Sequence, residues 1–159
     1  MPHSSRIWIW SFPLAFIVHD GEEAIATVQA GQLKSFGAPL TVSQGLAAIC
    51  FELALFWSIS VIAVWSGGRG WPIRIFGALL AGYTLHGVVH LAAALVTTGY
   101  AFGAITALPA VTAYGCLALY RLRADRVLTR RDIASGGLAS ALLGLPFIYL
   151  VHEVGKLIG

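Results

Sequence analysis

Residues 16–26 read FIVHDGEEAIA, with four ionisable side chains, His19, Asp20, Glu22 and Glu23, set in a run that is otherwise apolar or small. The surroundings of this cluster decide the class of fold. The 159-residue chain is 58% hydrophobic and only 11% charged, and its mean hydropathy is +0.81. A water-soluble domain does not carry so much apolar sequence, whereas a polytopic membrane bundle must. Asp20, Glu22, Glu23, Glu52 and Glu153 all fall within or at the end of apolar segments, and only Asp125 and Asp132 look like ordinary loop acids.

Gly, Pro and charge clusters divide the chain into stretches that can cross a bilayer, which takes about 20 residues per helix. The expected architecture is all-α: one transmembrane domain of about five helices, over residues 6–30, 41–65, 72–98, 100–120 and 135–156. Turn residues in GQLKSFGAPLT and SGGRGWP, and a charged loop from Arg121 to Asp132, separate the spans. Arg6 ahead of Ile7 to Val18 resembles the start of a signal peptide. The acidic cluster directly after it is unlike a cleavage region, so the segment is expected to remain as the first span.

Basic loops resist translocation. With the N-terminus cytoplasmic and the C-terminus outside, Arg6, Arg69, Arg74, Arg121, Arg123, Arg126, Arg130 and Arg131 lie inside, and only Lys34 and Lys156 lie outside. The expected location is a plasma membrane of the bacterial type. Topology explains the excess of arginine, and no aromatic-interleaved basic stripe accompanies it, which argues against nucleic acid as a partner. Cys50 and Cys116 have no metal-ribbon or redox spacing and read as packing residues. The five tryptophans read as interfacial or packing groups, Gly136, Gly137 and Gly144 as points of close helix approach, and His3 as a bystander.

On a helix advancing about 100° per residue, Glu22 lies about 60° to one side of His19 and Glu23 about 40° to the other, so all three share a face. Asp20, about 100° round, stands at its edge and suits an accessory role. The second span holds one ionisable group, Glu52, whose partner must come from another helix. In the third, YTLHGVVHLAA places His86 and His90 at i and i+4, the spacing at which two imidazoles address one ion or two adjacent ions, with Tyr83 on the same side. Counted from the span ends, these groups lie within about two turns of the bilayer middle.

An ionised carboxylate at that depth costs roughly 2.5–3.5 kcal/mol on insertion scales. No Lys or Arg lies near the middle of any span to offset it. Protonation, pairing with charged histidine, or metal would do so. Three carboxylates with two divalent cations and a bridging hydroxide reach neutrality, so charge arithmetic favours two ions over one. Iron, manganese or zinc suits mixed His and carboxylate donors.

HDGEE, His19 to Glu23, resembles the signature of the HXXEE family of small integral membrane proteins, named for that motif near the N-terminus. The isolated Glu52 and the His86/His90 pair look like a continuation of the family pattern, so the resemblance covers roughly the first three spans. It implies functional roles for His19, Glu22 and Glu23 and leaves the reaction open.

The expected function is a membrane-embedded metalloenzyme acting on a hydrophobic or lipid-like small molecule, leaning to oxidative di-iron-type chemistry. Its expected ligands are His19, Glu22, Glu23, Glu52, His86 and His90. Glu22, Glu23 and Glu52 are the candidate catalytic carboxylates, and Asp20, Tyr83, His152 and Glu153 the accessory groups. Two readings compete with it: a metal-ion or proton transporter, since intramembrane acids and histidines also line ion pathways, and a metal-free acid–base isomerase. The lipid bilayer is an expected partner, and a homo-oligomer is left open.

Overall fold

The computed structural model describes residues 1–33, 39–96 and 101–159. Among these residues it contains five helices. They are α1 (His3–Ala30), α2 (Val42–Trp65), α3 (Gly70–Val96), α4 (Ala104–Ala124) and α5 (Arg130–Ile158). Two short strands, β1 (Gln32–Leu33) and β2 (Leu40–Thr41), pair antiparallel with Gln32 opposite Thr41 and tie the ends of α1 and α2 together. Lys34 and the expected junction near residues 97–100 lie outside the described residues.

Capping groups set the helix starts that hydropathy places only roughly. Thr41 Oγ1 accepts from the Gln44 amide at 3.3 Å while Gln44 Oε1 accepts from the Thr41 amide at 3.1 Å. Thr129 and Asp132 make the same reciprocal pair at the start of α5. The fifth helix therefore begins five residues before the expected 135, and the fourth runs to 124 rather than 120. In both cases hydropathy ends at the arginines, but the helix continues through them because their long side chains reach water from inside a helical turn.

α2, α3, α4 and α5 are each long and apolar enough to cross a membrane. α1 is long enough at 28 residues, but its acidic cluster breaks the apolar run. Large apolar side chains cover the outside of the bundle. On α5, Leu138, Leu142, Leu143, Leu145 and Leu150 are all more than half exposed, as lipid-facing groups are and water-facing ones are not. Cys50 and Cys116, expected to be packing residues, lie on this outer surface.

Successive helices alternate in direction. The turns at 66–69 and 125–129 meet the N-terminus, where Gly68 approaches Met1 and Val127, while at the other end Gly159 meets Ser43. All eight arginines consequently gather at or within about a turn of one end. There the hydroxyls of Ser4 and Ser5 each donate to Asp125 at 2.6 Å and, with Arg121 nearby, hold its carboxyl below the usual range.

The core lies between the arginine end and the acidic cluster. Phe12 stands at its centre, with ring centroids of Phe56, Phe76 and Tyr83 at 5.2, 5.4 and 5.3 Å. Close helix approach uses Gly136, where a Cβ would sit 2.9 Å from Ala78 Cα, and Gly155 against α2. Gly137 and Gly144, expected to do the same, face open space among the described residues.

α4 is not a regular α-helix: residues Ala107–Ala113 wind as a π-helix. Pro109 lies within that stretch, has no amide hydrogen and crowds the carbonyl four residues back, so the turn widens. Tyr83 Oη donates to Ala110 O at 3.4 Å and to Ala15 O at 3.0 Å, joining α4, α3 and α1.

Candidate metal centre

α1 and α3 each contribute two groups at an i, i+4 interval: His19 with Glu23, and His86 with His90. One donor atom from each of the four lies within 4.8 Å of all the others, a group able to hold a metal ion. The three imidazoles stand nearly perpendicular to one another, with centroid separations of 5.4 Å for His19 and His86, 5.0 Å for His19 and His90, and 4.3 Å for His86 and His90. Glu23 Oε1 is 3.1 Å from His90 Nε2 and 3.8 Å from His19 Nε2.

Hydrogen bonds behind the rings decide which nitrogens face inward. His90 Nδ1 meets the carbonyl of Phe102 at 2.5 Å, and a carbonyl can only accept, so the proton is on Nδ1 and Nε2 faces inward as a lone pair that accepts from His86 Nε2. Thr106 Oγ1 donates to Glu22 Oε2 at 2.7 Å and therefore accepts from His19 Nδ1 at 2.9 Å. The outcome is the same, with His19 Nε2 directed inward as a lone pair. This atom is buried and has no hydrogen-bond partner among the described residues. His90 Nε2 and His86 Nε2 are 2.8 Å apart. Three imidazole nitrogens and a carboxylate oxygen around one small volume form a donor set that a divalent cation would satisfy, and the carbonyl and hydroxyl behind the rings are the kind of partner that metal-binding histidines use.

Glu22 turns aside from its two motif partners. Its carboxylate accepts from the Thr106 amide at 2.8 Å and the Ile105 amide at 3.2 Å as well as from the Thr106 hydroxyl. The first amides of a helix have no intrahelical acceptor, so a carboxylate at the start of α4 meets a backbone need. The same contact fixes Thr106 behind His19.

Gly103 closes the site. Its φ of 76° is left-handed, and a Cβ there would lie 2.7 Å from His19 Cε1, 2.8 Å from Glu23 Oε1 and 3.1 Å from His90 Cε1. Phe102, Gly103 and Thr106 thus form the wall over the centre, and sequence reasoning assigned none of them to it. A glycine shortly before a threonine at a helix start is too common a pattern to have singled them out.

The remaining expected site residues lie around the four donors. Asp20 is 5% exposed, and its charge interacts with those of Glu52 and Glu23, so the three carboxylates are neighbours across α1 and α2. Leu53, next to Glu52 on α2, packs against the core. Tyr83 sets its ring edge-on to His19 at 6.1 Å while its hydroxyl serves the backbone. Glu153 pairs with Lys156 at 2.6 Å near the end of α5, and neither it nor His152 belongs to the four-donor group.

Replacing Thr106 with valine keeps the shape of the side chain and removes the hydroxyl that orients His19. Metal affinity, measured by competition with a chromophoric chelator, is expected to fall roughly tenfold to a hundredfold while helicity by circular dichroism is unchanged. Unchanged affinity would show that the Thr106 hydroxyl does not support the centre.

Neither the curated proteins nor the solved structures contain a match to this chain. A family model described as "Protein of unknown function with HXXEE motif" matches residues 10–118, a stretch that includes all four donors together with Glu22, Gly103 and Thr106. The chain belongs to this HXXEE-motif family.

Proposed function

We propose that this protein is an integral membrane metalloenzyme in which His19, Glu23, His86 and His90 hold one divalent ion and the substrate is a hydrophobic or lipid-like small molecule. The observation that carries the reading is the buried, unpartnered Nε2 of His19 facing two further imidazoles and a carboxylate. Burying such an atom without a partner is costly, and an ion would remove that cost.

Donor count bears on the element. A tetrahedral zinc ion would be filled by four protein ligands, the pattern of closed structural sites, whereas iron or manganese with a larger coordination number keeps positions open. Bound there, such an ion would supply oxygen- or water-activating chemistry. Within this proposal Glu22 is a positioning residue and Glu52, beside Glu23 but outside the four, is the carboxylate that accepts or returns a proton. Phe102 and Gly103 lie against the centre on the side away from the arginines.

The expected analysis of protein purified in detergent without chelators is about one equivalent of iron, manganese or zinc. Protons compete with the ion at three imidazoles, so the metal should be retained at neutral and mildly alkaline pH and released on acidification. No metal at any pH would defeat the proposal and favour metal-free acid–base chemistry. Two equivalents would bring Glu52 and Asp20 in as ligands of a second ion.

α1 would be the fifth span, with the arginine end cytoplasmic. Trp65 and Trp71, strongly exposed at that end, fit an interfacial belt. In a Cys50→Ser/Cys116→Ser background, Arg126→Cys should resist a membrane-impermeant thiol reagent applied outside intact cells. Ready labelling would reverse the orientation.

A further inference from the structure

At the arginine end, α4 and α5 diverge. The turn over residues 125–129 joins them, yet α4 packs against α1 and α3, whereas α5 packs against α2 and α3, and the two share no seam along their lengths. A groove of about 370 Å³ lies between them, lined by Leu119, Tyr120, Arg123, Arg130, Ile133 and Ala134. Arg123 is one turn beyond Leu119, and Arg130 is one turn before Ile133 and Ala134. Both arginines therefore occupy the loop end of the groove and the apolar groups the end toward the bilayer interior.

Neither of these two arginines has a counter-charge among the described residues. Asp125 is taken by Ser4, Ser5 and Arg121, and Asp132 by Thr129, Arg74 and Arg131. The side chains of Arg123 and Arg130 make no ion pair or hydrogen bond among the described residues. Tyr120, 61% exposed, stands at their level, where an amphipathic ring meets headgroups.

We propose that this groove seats an anionic phospholipid, with its phosphate between Arg123 and Arg130 and an acyl chain along Leu119, Ile133 and Ala134. The inference rests on membrane embedding and is independent of the metal centre. Two uncompensated guanidinium groups match a net-negative headgroup, and the apolar, laterally open remainder of the groove matches a chain that already resides in the bilayer. A free phosphate would use the arginines and leave the apolar part idle.

Native mass spectrometry of the full chain, released from detergent with phosphatidylglycerol, phosphatidylcholine or inorganic phosphate present, tests this. Phosphatidylglycerol should be retained in preference to phosphatidylcholine, and inorganic phosphate should not displace it. Arg123→Gln/Arg130→Gln should weaken retention by roughly tenfold or more. Arg69→Gln/Arg126→Gln, which removes two charges from the same end outside the groove, should leave it intact. Ile133→Trp, which fills the groove and keeps both arginines, should also expel the lipid. Equal losses in both double variants, no preference between the lipids, or displacement by inorganic phosphate would each overturn the proposal.

Discussion

His86→Ala is expected to leave the purified protein with less than about a tenth of its metal and to weaken its affinity by about a hundredfold or more, beyond the range seen when only the hydrogen-bond partners behind the ligands are lost. His86 is the better probe than His19. It is half-buried in the middle of α3, and alanine is the best helix former, so the bundle should survive the change. His19 is fully buried and carries the Thr106 contact, so its removal would combine ligand loss with a cavity. Elemental analysis beside circular dichroism separates the outcomes. Lost metal with retained helicity supports the assignment, and His3→Ala should keep its metal. Full occupancy and unchanged affinity in His86→Ala would remove His86 from the centre and overturn the proposed four-donor site.

Gly103→Ala is expected to lower metal affinity by at least roughly tenfold even though it adds only one methyl group. Left-handed backbone costs an L-residue about 1 kcal/mol or more. The methyl would also meet His19, Glu23 and His90 at 2.7–3.1 Å, and those side chains cannot all withdraw without opening the donor set. Gly21→Ala is the matching control. It lies inside the HDGEE motif, has open space about its Cα, and sits in a helix interior where alanine is favoured by roughly 0.5–1 kcal/mol. Melting temperature and metal affinity should therefore move apart in the two variants, down in affinity at Gly103 and up in stability at Gly21. If Gly103→Ala binds metal normally, the wall over the site is looser than its contacts indicate.

Two of the helical intervals in the sequence carried the centre, because i, i+4 spacing is a property of one helix and needs no knowledge of its neighbours. His19 with Glu23 and His86 with His90 were legible for that reason. Glu22 was legible as a member of the same face but not in its contact, since about 60° of rotation is enough to turn it toward the start of α4. Glu52 could be placed near the centre by depth, whereas its exclusion from the four donors depends on how α2 leans, which sequence does not encode locally; Asp20 was legible from its angle on α1 as a residue at the edge of the face. Phe102 and Gly103 come from the connection before α4 and act through their backbone, while Thr106 acts through its hydroxyl from the first turn of α4, so no periodicity announces them. The fourth helix begins at Ala104 rather than near 100 for a related reason: Gly103 in a left-handed conformation cannot be part of a helix.

The contact between Glu22 and the start of α4 also bears on how the chain reaches its place in a membrane. α1 carries three acids and is the one long helix that fails on apolar length, so it is the poorest candidate to partition into lipid as it leaves the ribosome. The amides and hydroxyl that receive Glu22, and the imidazoles of α3 that stand beside Glu23, belong to segments made later. If α1 spans the bilayer as proposed, it is stabilised there only once α3 and α4 have arrived, and chain order and insertion order then differ.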